Sequence, residues 1–170
     1  MALTQVINDG LATSGLPAGC VVQVVNVQDG AVATGTTTVA YDDTIMQNTE
    51  GDEYMTLAIT PTSSTNKLKI DVVFNASCNQ TNKITTVGLF QDSTANALAQ
   101  VPNLNFYGIT LSPYHIKFTH FMTAGTTSST TFKVRAGTDV SATTTFDGQN
   151  GSRKSGGVLA SSITITEIAA

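Results

Sequence analysis

The chain has 170 residues, a net charge of −4 at pH 7 and a charged fraction of only 12%, with a pI near 4.8. A length of this order fits one domain whose folding buries roughly 70% of the surface of the unfolded chain, enough for a single core. The acidic balance and the lack of a basic stripe speak against a partner held through its phosphates, so no nucleic acid is expected. The first residues show no basic leader with an apolar run behind it, and no stretch reaches the length of a membrane span, so neither secretion nor a membrane is expected.

The charged fraction is about half that of an ordinary domain, near 25%, and Thr, Ser, Asn and Gln take the place of the missing charges. Neutral polar surface costs less to desolvate than ionised surface, which suits wide and permanent protein contacts. The plainer reading is that Thr is present for its strand propensity.

Residues 1–19 carry Gly10, Gly15, Pro17 and Gly19 and read as an extended arm ahead of a domain over residues 20–170. Leu3, Val6, Ile7 and Leu11 in the arm are candidate partner-binding residues, a small apolar set that gains order only against a partner; an ordinary frayed terminus with no task is the other reading. Beyond the arm, period-two alternation broken by turn clusters predicts strands over 20–27, 36–41, 54–60, 67–74, 83–91, 114–122, 132–135 and 158–168, and a weaker one over 141–146. Leu68, Ile70, Val72 and Phe74 share one face opposite Lys67, Lys69 and Asp71. Tyr114, Ile116, Phe118 and Met122 share another, and Ile163 alternates with Ser162 and Thr164 in the last strand. Residues 93–100 lean towards helix or an irregular connection. The pattern is that of an all-β antiparallel sandwich, with the jelly roll as its leading form. Val73 and Phe121 add apolar side chains to faces that a monomer would give to solvent, and from this a homotrimer is expected.

The search for chemistry finds no nucleotide loop, no H-E-x-x-H, no C-x-x-C and no G-x-S-x-G. His115 and His120 fall on opposite faces of one strand and cannot chelate one metal. His120 reads as a core or interface residue, and His115 becomes a general base only with Ser or Asp beside it. The acidic run of Asp42, Asp43, Glu50, Asp52 and Glu53 lacks the spacing of a calcium loop and reads as a solvated loop. Asp71, Asp92, Asp139 and Asp147 are dispersed, which disfavours a glycosidase pair. Cys20 and Cys78 read as free, buried thiols inside strands. The expectation is no enzyme, no catalytic residue, no cofactor and no metal.

The stretch Gly15-Leu16-Pro17-Ala18-Gly19-Cys20-Val21-Val22-Gln23-Val24-Val25 resembles the opening of small structural proteins and fibre domains of tailed bacteriophages. Ile59-Thr60-Pro61-Thr62-Ser63-Ser64-Thr65-Asn66-Lys67-Leu68, Val87-Gly88-Leu89-Phe90-Gln91-Asp92 and Ala160-Ser161-Ser162-Ile163-Thr164-Ile165-Thr166-Glu167-Ile168 resemble the same group. The resemblance implies a jelly roll of the tumour-necrosis-factor type that forms homotrimers and acts in the virion, assembled in the host cytoplasm. Capsid decoration, with the major capsid protein or other virion proteins as partners, is the leading expectation because the domain stands with only a short arm. A tail-fibre or spike tip that binds a host receptor is the alternative. A free-standing lectin or hydrolase is poorly supplied with aromatic residues, having no Trp.

Overall fold

The computed structural model describes residues 16–104 and 111–170. Leu3, Val6, Ile7 and Leu11 lie outside the described residues. Among the described residues there are twelve strands: β1 (Val21–Asp29), β2 (Ala33–Gly35), β3 (Asp52–Ile59), β4 (Lys67–Cys78), β5 (Ile84–Gln91), β6 (Ala99–Leu104), β7 (Pro113–Thr123), β8 (Thr130–Thr138), β9 (Thr144–Phe146), β10 (Gly148–Gln149), β11 (Ser152–Arg153) and β12 (Ser161–Ile168).

Eight of them form two antiparallel sheets in the orders β1-β12-β4-β7 and β3-β8-β5-β6. Successive long strands alternate between the sheets, with the β5–β6 hairpin as the one connection made within a sheet. This is the double Greek key of a jelly roll, and the expected fold class stands. The short strands β9 and β2 extend the first sheet at the far end of β4.

The core follows from the alternation. Leu68, Ile70, Val72 and Phe74 of β4 meet Val87 and Leu89 of β5, Phe132 and Val134 of β8, and Ile163 and Ile165 of β12, all fully buried. Phe74 packs edge-on against Tyr54 at 5.6 Å between ring centroids, and Tyr54 stacks on Phe146 at 5.2 Å. Edge-to-face and offset stacking place the positive ring edge or an off-centre contact over the negative face, which favours both geometries.

The two sheets differ in their outer faces. Strand β5 is buried along almost its whole length because residues 36–48 cross over it, and Val39, Met46 and Phe90 form a second small cluster there. The crossing needs small residues beneath it. A Cβ on Gly88 would meet Met46 Sδ at 2.6 Å, and one on Gly137 would meet the Thr37 carbonyl oxygen and Val39 Cγ2 at 2.9 Å. The predicted strand over 36–41 is therefore corrected. Only Ala33–Gly35 pairs in this region, and the Thr-rich segment after it gives its backbone to the sheet surface through bonds such as Val39 N–H to the Thr138 carbonyl at 2.9 Å.

Residues 93–100 form the turn of the β5–β6 hairpin and open β6, a strand that the run of Ala95, Ala97 and Ala99 conceals. The last strand begins at Ser161, and Val158, 85% exposed, sits in a 3-10 turn ahead of it. Cys20 lies just before β1 and is half-buried rather than inside a strand, whereas Cys78 ends β4 fully buried; both thiols are free.

Gly137→Ala is expected to destabilise the protein by about 1–3 kcal/mol through overpacking and to lift residues 36–48 off the sheet. Phe74→Ala, a cavity change of about 3–5 kcal/mol, should leave that segment seated. Denaturant unfolding together with limited proteolysis of the 36–48 segment distinguishes the two.

Candidate interaction surface

Two fully buried carboxylates organise the ends of the first sheet. Glu167 occupies an inward position of β12 and accepts hydrogen bonds from Gln23 Nε2 (2.6 Å), Asn66 Nδ2 (2.6 Å), Thr62 N (2.8 Å) and Thr62 Oγ1 (2.8 Å). It ties the β3–β4 turn to β1 and β12. Burial pushes its carboxyl up, but the donors of Gln23, Asn66 and Thr62 outweigh burial and hold it below its ordinary value.

Asp147 stands at the other end. Strand β4 pairs along one edge first with β12 as far as Val73 and then with β9 from Ala76. The gap at Asn75 is closed by side chains: Ser161 Oγ accepts the Asn75 N–H (2.9 Å) and donates to Asp147 Oδ1 (2.8 Å), while the Asp147 N–H bonds the Asn75 carbonyl (2.9 Å). Burial raises the Asp147 carboxyl above its ordinary value against the opposing bonds from Ser161 and Asn75.

Asn75 also donates its Nδ2 to the Ala160 carbonyl (2.9 Å), which leaves its Oδ1 to accept from His115 Nδ1 (2.8 Å). The structure thus brings His115, Asn75, Asp147 and Ser161 into one chain of bonds, with Asn75 between the imidazole and the other two. Ser161 is fully buried and bonded to the carboxylate instead of the imidazole, so the array is a splice between strands rather than a nucleophile with its base. His120 lies half-buried on the inner face of β7, where burial lowers its pKa.

The acidic run is divided among separate tasks. Asp52 accepts from Thr37 N (2.9 Å), Glu50 from Gln47 N (2.7 Å), and Glu53 faces Lys133 (3.4 Å) and Arg135 (3.6 Å). Asp42 and Asp43 are left exposed. Among the described residues no group of three or more His, Cys, Asp or Glu could hold a metal ion.

The broad feature left over is the outer face of β1-β12-β4-β7, covered near Ser77 by Gly148 and open over the rows from Lys67 to Asp71. Cross-strand register places Asn26, Thr164, Asp71 and Thr119 in one row and Val24, Thr166, Lys69 and Phe121 in the next. Val24 is 55% exposed and Phe121 60%. The face mixes neutral polar residues with Lys67, Lys69, Asp71 and Lys117, and presents three apolar side chains to solvent, Val21 as well as Val24 and Phe121. Its residues are the outward half of the same alternation that builds the core, and Phe121 is the signal by which the sequence marks it.

No known sequence family matches the chain, and no curated protein does. Among solved structures, the infectious bursal disease virus Gx strain is matched with TM-score 0.42 and 11% identity over 86% of this chain and 36% of that one. Dimeric latent PorU from Porphyromonas gingivalis is matched with TM-score 0.40 and 7% identity over 91% of this chain and 14% of that one. The enzymatically active domain of bacteriophage CBA120 tailspike protein 4 gives TM-score 0.26 and 15% identity over 73% and 18%. The chain spans well under half the length of each of these structures, and likeness at these scores carries no inference of shared task.

Glu167→Gln is expected to cost about 2–3 kcal/mol at neutral pH, since an amide turns an N–H towards the donors of Gln23 or Asn66. A carboxyl held low in the folded state stabilises fully above its unfolded value near 4.5, and that contribution is lost as pH falls through the folded value. Asp147 has the opposite sign: its contribution is present below 3.8 and lost as pH rises through its raised folded value. The deficit of Glu167→Gln should therefore shrink on acidification, which urea unfolding at neutral and strongly acid pH measures.

Proposed function

We propose that the chain is a structural protein of a tailed bacteriophage particle and acts as a capsid decoration protein. The observation that supports this reading is the open face of β1-β12-β4-β7. Asn26, Thr164, Thr166 and Thr119 stand there among the exposed Val21, Val24 and Phe121, so another protein surface gains apolar burial while part of what it desolvates is neutral. The resemblance of residues 15–25, 59–68, 87–92 and 160–168 to phage structural proteins points to the particle as the setting. Partners are the major capsid protein or other virion proteins, and no catalysis is involved.

The trimer contact in this reading lies along β6 and β7, the two adjacent edge strands of the sandwich. There Val101, Phe118 and Met122 pack against the core while staying only half-buried. A neighbouring copy would complete their burial and cover both free strand edges. The arm of residues 1–18, with Leu3, Val6, Ile7 and Leu11, is proposed to fasten the assembly to the particle, and three copies raise the effective concentration of each arm.

Quantitative mass spectrometry of purified particles tests the setting. Hundreds of copies per particle are expected for decoration, on the order of the number of lattice positions. A few or a few dozen would move the domain to a tail fibre or spike tip with a host receptor as its partner.

Deleting residues 1–18 tests the fastening. The trimer should persist in light scattering while binding to particles stripped of the native protein falls at least about a hundredfold, in line with the loss of an avid multivalent contact. Undiminished binding would assign attachment to the sandwich.

A further inference from the structure

We infer that Phe121, flanked by Lys67 and Lys69, plugs the depression beside Asp42 and Asp43 of a second copy of this chain, making a head-to-tail contact between copies. The inference rests on reading the open sheet face as a protein-contact surface, and it names the partner for one corner of that face.

The plug is built by register. Lys69 lies directly across from Phe121, and Lys67 pairs with Thr123 one step along, so both lysines flank the ring within roughly 5–8 Å at Cβ. Lys67 Nζ donates to Thr123 Oγ1 (2.7 Å) and Lys69 Nζ reaches Asp71 (2.8 Å), which keeps both ammonium groups on this face. The ring itself is 60% exposed.

The receptor is an open depression of about 330 Å³ where residues 42–45 meet residues 97–100. Ile45, Ala97, Leu98 and Ala99 supply apolar wall, and Asp42 and Asp43 stand on its rim. The volume is ample for a benzyl group, since an enclosed cavity of about 150 Å³ already admits benzene. Lys69 is paired with Asp71, so Lys67 carries the uncompensated positive charge beside the plug, and it complements Asp42 and Asp43 beside the depression in a chain otherwise poor in charge.

Placement excludes the alternative pairing. A two-fold contact of plug against plug would set Lys67 and Lys69 against their own copies, with like charges opposed. The plug lies on the outer face of the first sheet, and residues 42–45 belong to the segment that crosses the outside of the second. The contact is therefore heterologous: each copy gives a plug and offers a depression, so it repeats from copy to copy and joins assemblies already held through β6 and β7.

The test is sedimentation of the full chain over a range of concentration and salt. Wild-type protein is expected to form species larger than its base oligomer at low ionic strength and to lose them as salt rises. Lys67→Glu with Lys69→Glu, and separately Asp43→Lys, should each weaken this association at least about tenfold, and mixing the two variants should restore it to within a few-fold. Asp43 is chosen because Asp42 caps Thr44 and its loss disturbs the loop. Phe121→Ala should weaken association at every salt concentration.

Wild-type protein that stays at one mass throughout, variants that associate as wild type does, or a mixture that fails to recover would each overturn the inference. None of these results alters the copy number in particles, so the failure of this contact and the failure of the decoration reading are separately visible.

Discussion

The architecture depends on how one edge of β4 is shared. Its partner changes from β12 to β9 within two residues, and a backbone left unpaired at such a change would hold a buried N–H and carbonyl without partners. Ser161 and Asp147 supply the missing partners, the first with its hydroxyl and the second with its backbone N–H. The cost is a buried carboxylate whose charge is disfavoured by its surroundings. Because β4 also carries Leu68, Ile70, Val72 and Phe74 into the core, the splice keeps the central strand in one register, and the register decides which side chains face outward.

That constraint explains why the two outer faces differ. Side chains along β4, β7 and β12 alternate, and the outward set includes Thr119, Thr164 and Thr166 together with Lys67, Lys69 and Lys117, which water solvates, so most of the first sheet remains open. Strand β5 puts Thr86, Gly88 and Phe90 outward, a flat apolar strip that the 36–48 segment covers with Val39 and Met46. The molecule presents one broad open face with lysines beside exposed Val21, Val24 and Phe121 and, on the opposite side, a covering loop whose exposed Asp42, Asp43, Tyr41 and Ile45 combine negative charge with apolar surface.

Glu167 and Asp147 are both buried, but burial weighs more on Asp147 and nearby Asp29 raises it further, and their carboxyls move in opposite directions. Donor supply differs too: Glu167 receives the side chains of Gln23, Asn66 and Thr62 as well as a backbone N–H, whereas the donors around Asp147 are fewer and one of them is long, at 3.5 Å from Asn75. Burial alone does not set the charge state. The balance of burial and neighbouring charge against the count and closeness of donors does.

Much of the fold was legible in the sequence because strand periodicity is a local signal. Alternation in 67–74, 114–122 and 158–168 identified three strands of the first sheet and their inward faces, and turn clusters marked most of the boundaries. Where local signal and tertiary packing diverged, packing decided. The Thr-rich 36–41 segment has strand propensity but lies across a sheet instead of within one, since Val39 gains more by covering Phe90. Ala95, Ala97 and Ala99 concealed β6, because alanine favours helix over strand locally and only the pairing with β5 overrides that preference. Glu167 could have been noticed as a carboxylate at an inward position of an alternating strand. The joining of Asn75, His115, Asp147 and Ser161 could not, because those residues lie on separate elements and meet only through the jelly-roll topology. The sequence by itself determined the class of fold, the core faces and the weakly charged surface, since all three are sums over local pattern. Only the tertiary structure decided which face stays open and which residues stand beside Phe121, because those are set by register between strands far apart in the chain.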